Sequence, residues 1–288
     1  MLERIPTIDW ALAAAVAVSA MASAAATRRG GQFRGMPGWS GFWVGFAGLL
    51  ICLSRLPHYV SFPLLGLAMF AALRAYFFIA PLRPRDRNVI LLSYAAIPAV
   101  LWLAYDSAGT FLATVPVALF LVLPFFLALA PEEEGFFDAL GRTLLAVVLF
   151  VFCLAHLGLL VDEPPPGLPE LFGVLVLAAE LPQRLAGRFR PGSGWLQPAL
   201  GALIGLLSAT AAGYLLGPEC ALGEEDGARG GALVALATTL GAVVAEALAR
   251  DLAVTASASV FGRGAFLNRT VSVVCAAPVF FHYLNHFA

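Results

Sequence analysis

The sequence predicts an all-α, polytopic integral membrane protein: a helical bundle with about nine or ten transmembrane helices. Three observations lead to this prediction. Hydrophobic residues make up 60% of the 288 residues and charged residues only 12%, whereas a soluble domain carries about 25% charged residues. Apolar runs of the ~20 residues that a bilayer requires follow one another along the whole chain. Arginines cluster in alternate gaps between those runs.

Ten apolar segments are predicted to cross the membrane, and the second and last of them are short for a span. The first is expected to be a retained helix rather than a cleaved signal, because little positive charge precedes it and further spans follow. Prolines inside several spans are tolerated where neighbouring helices satisfy the backbone. The predicted spans are 8–26, 42–55, 58–80, 88–105, 108–130, 142–161, 169–185, 197–216, 229–249 and 271–286.

The arginine distribution predicts the orientation of the chain, because loops rich in arginine stay in the cytoplasm. With strict alternation, the gaps after the odd-numbered spans fall on one side, and they hold most of the arginines. The opposite gaps carry acidic groups such as Glu224–Asp226. We therefore expect cytoplasmic Arg-rich loops, with both termini on the other side of the membrane. The longest predicted loops are 28–41 and 250–270.

Charge and cysteine usage exclude some functions. The net charge of −1 implies no nucleic-acid partner. All 17 basic residues are arginine, so no lysine can serve a phosphate site. The four cysteines lack CxxC spacing and are expected to be small core residues rather than metal ligands. Asp106 and His156, near predicted span ends, are expected to snorkel or to make simple hydrogen bonds.

Two carboxylates near the cytoplasmic ends of spans are candidates for function, because charges at membrane depth are costly. Glu180 has Arg184 four residues later, and Glu246 has Arg250 at the same spacing, so each pair shares one helix face. Each pair is either a structural ion pair or part of a polar pocket at the cytoplasmic surface.

Two Gly/Arg segments suit phosphate binding, because exposed backbone N–H groups and guanidinium forks match phosphate oxygens. One is Gly187–Gly194, which contains Arg188; a simple cytoplasmic turn is the alternative interpretation. The other lies between the last two spans, where Arg263 and Arg269 flank Asn268.

The final segments resemble the carboxy-terminal signature of the phosphatidate cytidylyltransferases, also called CDP-diacylglycerol synthases. That signature runs from Gly-(His/Arg)-Gly-Gly through Asp-Arg-x-Asp-Ser to Ala-Pro in the next span. Here it reads Gly262–Ala265, Asn268–Ser272 and Ala277–Pro278. Shorter segments match in order, and some look like a bacterial branch: Ser93–Tyr94, Ile97–Pro98, Phe152–His156 and Gly187–Phe189 with Trp195. The resemblance covers 42–288 and leaves 1–41 as an extra N-terminal transmembrane helix with a cytoplasmic Arg-rich loop.

The resemblance implies a reaction of CTP with phosphatidate that yields CDP-diacylglycerol and pyrophosphate. Such a phosphoryl transfer needs divalent cations held by carboxylates, and the family supplies them through the two aspartates of Asp-Arg-x-Asp. Asn268 and Val271 stand at those positions here, and Ala249 replaces a lysine of the family. We therefore expect no cofactor and no transfer activity. The positions left as relics or weak candidates for catalysis are Glu180, Asp251 and Asn268, and those for metal binding are Glu180 and Asn268.

Three hypotheses follow. The first is a catalytically inactive relative in the bacterial inner (cytoplasmic) membrane that binds lipid or serves as a subunit of a membrane complex; a homodimer is compatible with it. The second is an active enzyme whose Mg²⁺ ligands are rebuilt from Glu180, Glu246 or Asp251. The third, ranked low because few polar residues line the spans, is a small-solute transporter. In the first, the expected ligands of a lipid headgroup phosphate are Arg188, Arg250, Arg263 and Arg269.

Overall fold

The computed structural model of the chain describes residues 7–27, 36–83, 87–129, 135–162, 167–189, 196–252 and 263–288. Within these residues the chain is helical and contains no strand, and every predicted span is a helix. A π-helical segment, Val148–Cys153, joins α6 to α7, and a short 3-10 turn, Gly217–Cys220, follows α9. The helices are α1 Thr7–Thr27, α2 Met36–Arg55, α3 His58–Ile79, α4 Arg87–Asp106, α5 Ala108–Ala128, α6 Phe136–Val147, α7 Leu154–Asp162, α8 Leu168–Phe189, α9 Leu196–Leu216, α10 Glu224–Asp251 and α11 Arg263–Phe287.

Seven segments of the described chain are long and apolar enough to cross a membrane: α1, α3, α4, α5, the continuous α6–α7 rod, α9 and α10. This confirms an all-α, multi-pass membrane protein. The other three predicted spans correspond to α2, α8 and α11, with 20, 22 and 25 residues. At ~1.5 Å per residue they are 30 Å long or more, but their described residues contain no stretch as apolar as those of the seven. These three helices build the polar site described below.

Several helix boundaries differ from the prediction, and three of these differences bear on the site or on the helix ends. α2 begins at Met36 rather than near residue 42, with Pro37 in its first turn, where proline costs no hydrogen bond. α10 begins at Glu224, and its acidic first turn suits the helix dipole. α11 begins at Arg263, so the Asn268–Ser272 segment is helical and not part of a loop.

The chain divides into two compact units, which differ from the predicted division at residues 41 and 42. The first unit comprises residues 1–56 and 163–288, and therefore contains α1, α2 and α8–α11. The second comprises residues 57–162, with α3–α7. The boundary at residue 41 remains a prediction about ancestry, but α1 belongs to the same unit as α2 and α8.

Small residues hold α8, α9 and α10 close together in the first unit. Ala179, Ala209 and Ala235, one from each helix, form a fully buried cluster. A Cβ atom added at Gly205 would collide with the carbonyl oxygen of Ala179, and one at Gly213 with the carbonyl of the facing helix α10. In membranes such small residues let helix backbones approach closely.

The N-terminal end of α8, which is predicted to face away from the cytoplasm, is joined to α1 and α2 by polar contacts. Glu170 is fully buried, and its Oε2 accepts a hydrogen bond of 2.8 Å from the hydroxyl of Ser54 on α2. Asp9 of α1 forms an ion pair with Arg55 of α2 at 2.7 Å. These contacts tie α1 into the first unit.

The second unit packs largely through aromatic rings. His156 on α7 is fully buried between Phe111 and Phe152, with ring centroids 5.2 and 4.9 Å away. Its Nδ1 lies 2.9 Å from the carbonyl oxygen of Phe152, one turn earlier. Of the two alternatives predicted for His156, snorkelling from a span end is therefore wrong, because the ring is buried and lies within hydrogen-bond distance of a main-chain carbonyl. Asp106 is exposed at the last residue of α4.

The cysteines are free thiols. Cys153 and Cys220 are buried, and Cys52 and Cys275 are partly buried. The burial of Cys153 and Cys220 agrees with the prediction of small core residues, whereas Cys52 and Cys275 lie at the margin of the core.

Candidate functional site

The carboxylate of Glu180 is the centre of the most polar buried region of the first unit. Glu180 lies on α8 and is 3% exposed. Its Oε2 accepts hydrogen bonds from two indole N–H groups of α2, that of Trp39 at 2.8 Å and that of Trp43 at 3.3 Å. Both tryptophans are essentially inaccessible. They are one helical turn apart, so a single face of α2 presents both donors.

Arg184 supplies the charge that balances Glu180. Its Nε lies 3.4 Å from Oε2, and the guanidinium stands 5.4 Å from the centre of the Trp39 ring. The i, i+4 ion pair predicted from the sequence is therefore confirmed. The cation also lies over an aromatic face, an arrangement that strengthens as water is excluded.

The third helix at this site is α11. The hydroxyl of Ser272, 1% exposed, donates to Oε1 of Glu180. Arg269, one turn earlier on the same helix, is 3% exposed, and its guanidinium packs on Gly38 of α2. A Cβ atom at residue 38 would stand only 2.6 Å from an Nη atom of Arg269. The Glu180 cluster is defined here as Trp39, Trp43, Glu180, Arg184, Arg269 and Ser272.

The geometry of the Glu180 cluster is that of a satisfied buried carboxylate. A carboxylate has about four lone-pair sites. Three donors address Oε2 and one addresses Oε1. Oε1 keeps one further lone pair, but the carboxylate is buried, so a divalent cation with its other ligands would have to displace these donors to reach it. The described residues also contain no group of three or more His, Cys, Asp or Glu side chains placed to hold a metal. The arrangement joins α2, α8 and α11 through the single carboxylate of Glu180.

Three of the other predicted site residues, all on α10, do not reach Glu180. Glu246, Arg250 and Asp251 are exposed near the end of α10. The Nε of Arg250 donates to the main-chain carbonyl of Glu246 at 3.3 Å instead of to its carboxylate. The predicted ion pair between Glu246 and Arg250 is therefore wrong, whereas the polar pocket suggested by the two pairs stays a prediction. Val271, at the position of the family's second aspartate, is fully buried. The side chains of Arg188, Arg263 and Asn268 lie outside the described residues.

Sequence reasoning missed the partners of Glu180 on α2. The predicted loop 28–41 contains Gly38 and Trp39, and Trp43 lies at the start of the next predicted span. That placement predicts no tryptophan donor to a buried carboxylate. The signal available was the pair of tryptophans at i and i+4, a spacing that aligns two indole N–H groups on one helix face.

Comparison with known proteins identifies one curated relative. The chain is 26% identical over 262 residues to the uncharacterized protein YnbB of Escherichia coli (strain K12), an alignment that covers 83% of this chain and 85% of that protein. No family model matches the chain. No solved structure matches it.

Proposed function

We propose that this chain is a catalytically inactive relative of the phosphatidate cytidylyltransferases. It lies in the bacterial inner membrane with its Arg-rich loops in the cytoplasm. There it binds the phosphate of an anionic lipid headgroup, alone or as a subunit of a membrane assembly. No bound cofactor is required for this role.

A single observation carries the loss of catalysis. Glu180, the one buried carboxylate among the predicted catalytic positions, is occupied by Trp39, Trp43, Arg184 and Ser272. A carboxylate that holds Mg²⁺ must turn an oxygen towards the metal and its phosphate ligands. Here both oxygens already accept hydrogen bonds inside the protein, which supports a structural role.

The resemblance of the last helix to the family signature gains support from its placement. In the segment that looks like Asp-Arg-x-Asp-Ser, the retained Arg269 and Ser272 are both buried at the junction with α2, and Ser272 bonds Glu180. Val271, which replaces an aspartate, is buried as well. The residues that make structural contacts, Arg269 and Ser272, are retained. The carboxylate that the family would use to bind metal is replaced by Val271.

The exposed arginines support lipid-headgroup binding as the function of the protein. Arg250 is exposed at the end of α10, and its Nε bonds only a main-chain carbonyl, so its guanidinium can reach a phosphate. In the sequence, Arg188 and Arg263 belong to segments predicted on the same face of the membrane. Cationic groups beside the cytoplasmic leaflet attract its anionic lipids.

A lipid-retention experiment tests the proposed binding. The full-length protein is purified in mild detergent from its native membrane, and bound lipids and proteins are identified by mass spectrometry. We expect phosphatidate or another anionic phospholipid to co-purify, and Arg250→Gln to retain less of it than Arg229→Gln. Arg229 is a matched control because Glu225 and Asp226 already pair with it, at 3.0 and 3.2 Å. Equal retention of neutral and anionic lipid by all three proteins would contradict lipid-headgroup binding.

A further inference from the structure

Arg74 is a charge within a membrane span of the second unit. It lies on α3, His58–Ile79, five residues before the helix ends. Its side chain is exposed, on the same stripe of α3 as Leu67, Phe70 and Phe78, which are 63%, 42% and 63% exposed. These three are apolar side chains of a predicted span, so the stripe faces lipid. Five residues correspond to ~7.5 Å of helix, which places Arg74 inside the bilayer and within reach of a headgroup region.

Within the described residues, Arg74 has neither a carboxylate partner nor a hydrogen bond. Apart from Arg87, which is exposed at the first residue of α4 and has no such partner either, the other arginines whose side chains are described differ in this respect. Arg55, Arg142, Arg184 and Arg229 pair with carboxylates, and Arg83 donates to the carbonyl oxygen of Gly135 at 2.7 Å. A guanidinium carries five N–H donors and is always charged, so its place in a span requires an anion or water.

An aromatic patch from α3 and α4 lies beside Arg74. The ring of Tyr94 on α4 lies 4.9 Å from that of Phe70 and 6.2 Å from that of Phe77. The hydroxyl of Tyr94 is close enough to Arg74 for an electrostatic interaction. Arg87 is exposed at the first residue of α4, at the same end of the helical hairpin. This patch therefore combines a cation without a carboxylate partner, a hydroxyl and apolar side chains.

We propose that Arg74 and Tyr94 bind the phosphate of an anionic glycerophospholipid, whose acyl chains lie along Leu67 and Phe70 on the outer face of α3. A guanidinium fork binds two phosphate oxygens at once, and the phenol adds a third donor. This lipid site is separate from the headgroup site proposed above, which uses arginines outside the second unit. If the experiment contradicts one of these two lipid sites, the proposal for the other site is unaffected.

The test uses the full-length protein in nanodiscs of phosphatidylcholine alone or with phosphatidylglycerol. Native mass spectrometry counts the bound phosphatidylglycerol, and thermal unfolding reports its effect on stability. For Arg74→Gln we expect about tenfold weaker retention of one phosphatidylglycerol, the effect of losing a charge-assisted contact. Arg74→Lys should be intermediate because it keeps the charge but loses the two-point geometry. Arg229→Gln, which removes a charge already paired with carboxylates, should behave as the wild type.

A second variant separates lipid binding from simple exposure of a charge. Arg74→Leu should unfold at a melting temperature that phosphatidylglycerol does not raise, whereas the lipid should raise that of the wild type. Equal shifts in both proteins, or equal retention of phosphatidylglycerol by wild type and Arg74→Gln, would overturn the proposal. So would a wild-type protein that does not distinguish phosphatidylglycerol from phosphatidylcholine, whatever the folding of the variants.

Discussion

Glu180 persists inside a helical membrane protein because its partners compensate the loss of water. Two indole N–H groups, one hydroxyl and one guanidinium address its two oxygens. An uncompensated charge at this depth would cost several kcal/mol, on the order of the penalties seen for ions in protein interiors. The same partners that make the charge tolerable also keep it from other chemistry.

Replacing Glu180 should therefore destabilise the fold. Glu180→Leu leaves Arg184 and three further donors without their acceptor, and breaking a buried pair in this way costs about 3–5 kcal/mol. Glu180→Gln keeps one carbonyl oxygen and should cost less. Thermal unfolding in detergent, followed by tryptophan fluorescence, measures the loss. The control is Glu246→Gln, an exposed glutamate near the end of α10. Equal melting temperatures for Glu180→Leu and Glu246→Gln would show that the Glu180 cluster does not stabilise the protein.

Gly38 provides the space that Arg269 occupies. Gly38→Ala should be less stable than Gly45→Ala by about 1 kcal/mol, because the added methyl group forces the end of the buried Arg269 side chain to move. Gly45→Ala is the matched control in the same helix: its Cβ would meet nothing within 4 Å, and alanine is the better helix former by up to about 1 kcal/mol. Gly38→Ala should therefore melt at a lower temperature than Gly45→Ala. A Gly38→Ala protein as stable as Gly45→Ala would refute the packing of Arg269 on α2.

At the residue scale, the sequence predicts the pairing of only two of the six residues of the Glu180 cluster. Glu180 and Arg184 were found because charged residues in apolar runs are rare and an i, i+4 pair is a local feature. Trp39 lies 141 residues from Glu180 along the chain, and no periodicity links residues so far apart. Ser272 by itself predicts no contact with Glu180, since a serine in a helix usually bonds its own backbone.

Helix α9 presents a small residue every fourth position, and this governs the packing of the first unit. Gly201 and Gly205 face α8, whereas Gly213, and Gly217 in the 3-10 turn that follows α9, face α10. Main-chain atoms of the neighbouring helices lie where larger side chains would project. Without a hydrophobic effect between helices in lipid, this close fit supplies much of their association.

Gly213→Ala should separate α9 from α10. The added methyl group would overlap the carbonyl oxygen of Gly227, and backbone cannot turn aside as a flexible side chain can. We expect a loss of roughly 1–3 kcal/mol in the free energy of unfolding. Gly141→Ala on α6, which has no neighbour within 4 Å, serves as the control and should be neutral or mildly stabilising. A tolerated Gly213→Ala would mean that the two helices are further apart than the structure shows.

At the scale of elements, the sequence predicted the helices well and their ends less well. Every predicted span is helical, because a run of ~20 apolar residues has few other stable states in a bilayer. The starts of α2 and α11 were placed too late, since glycine and arginine in those segments looked typical of loops. In the structure the same residues are helical, and Gly38 and Arg269 pack against each other across a helix interface. Whether such a segment forms a loop or a helix is decided by its tertiary packing.

At the scale of the whole molecule, α1 is part of the first unit rather than an appendage. Ile8 and Leu12 are 2% and 0% exposed, and a Cβ at Gly173 of α8 would stand 3.1 Å from Leu12. The resemblance to the cytidylyltransferases starts at residue 42, so ancestry alone would treat α1 as dispensable.

Removing residues 1–27 discriminates between these views. We expect the truncated protein to melt at a lower temperature, or to be lost from the membrane, because α2 and α8 would expose the surface that α1 covers. Asp9→Asn, which removes only the ion pair with Arg55, should have a much smaller effect, since partly exposed ion pairs contribute little. A truncated protein as stable as the full chain would support an independent extension.

The central claim is that Glu180 stabilises the protein and does not catalyse cytidylyl transfer. The most direct measurement compares wild type with Glu180→Gln in one preparation, for melting temperature and for Mg²⁺-dependent formation of CDP-diacylglycerol from CTP and phosphatidate. We predict a lower melting temperature for Glu180→Gln and no product above background from either protein. Robust turnover by the wild type that disappears in Glu180→Gln, at an unchanged melting temperature, would contradict the account.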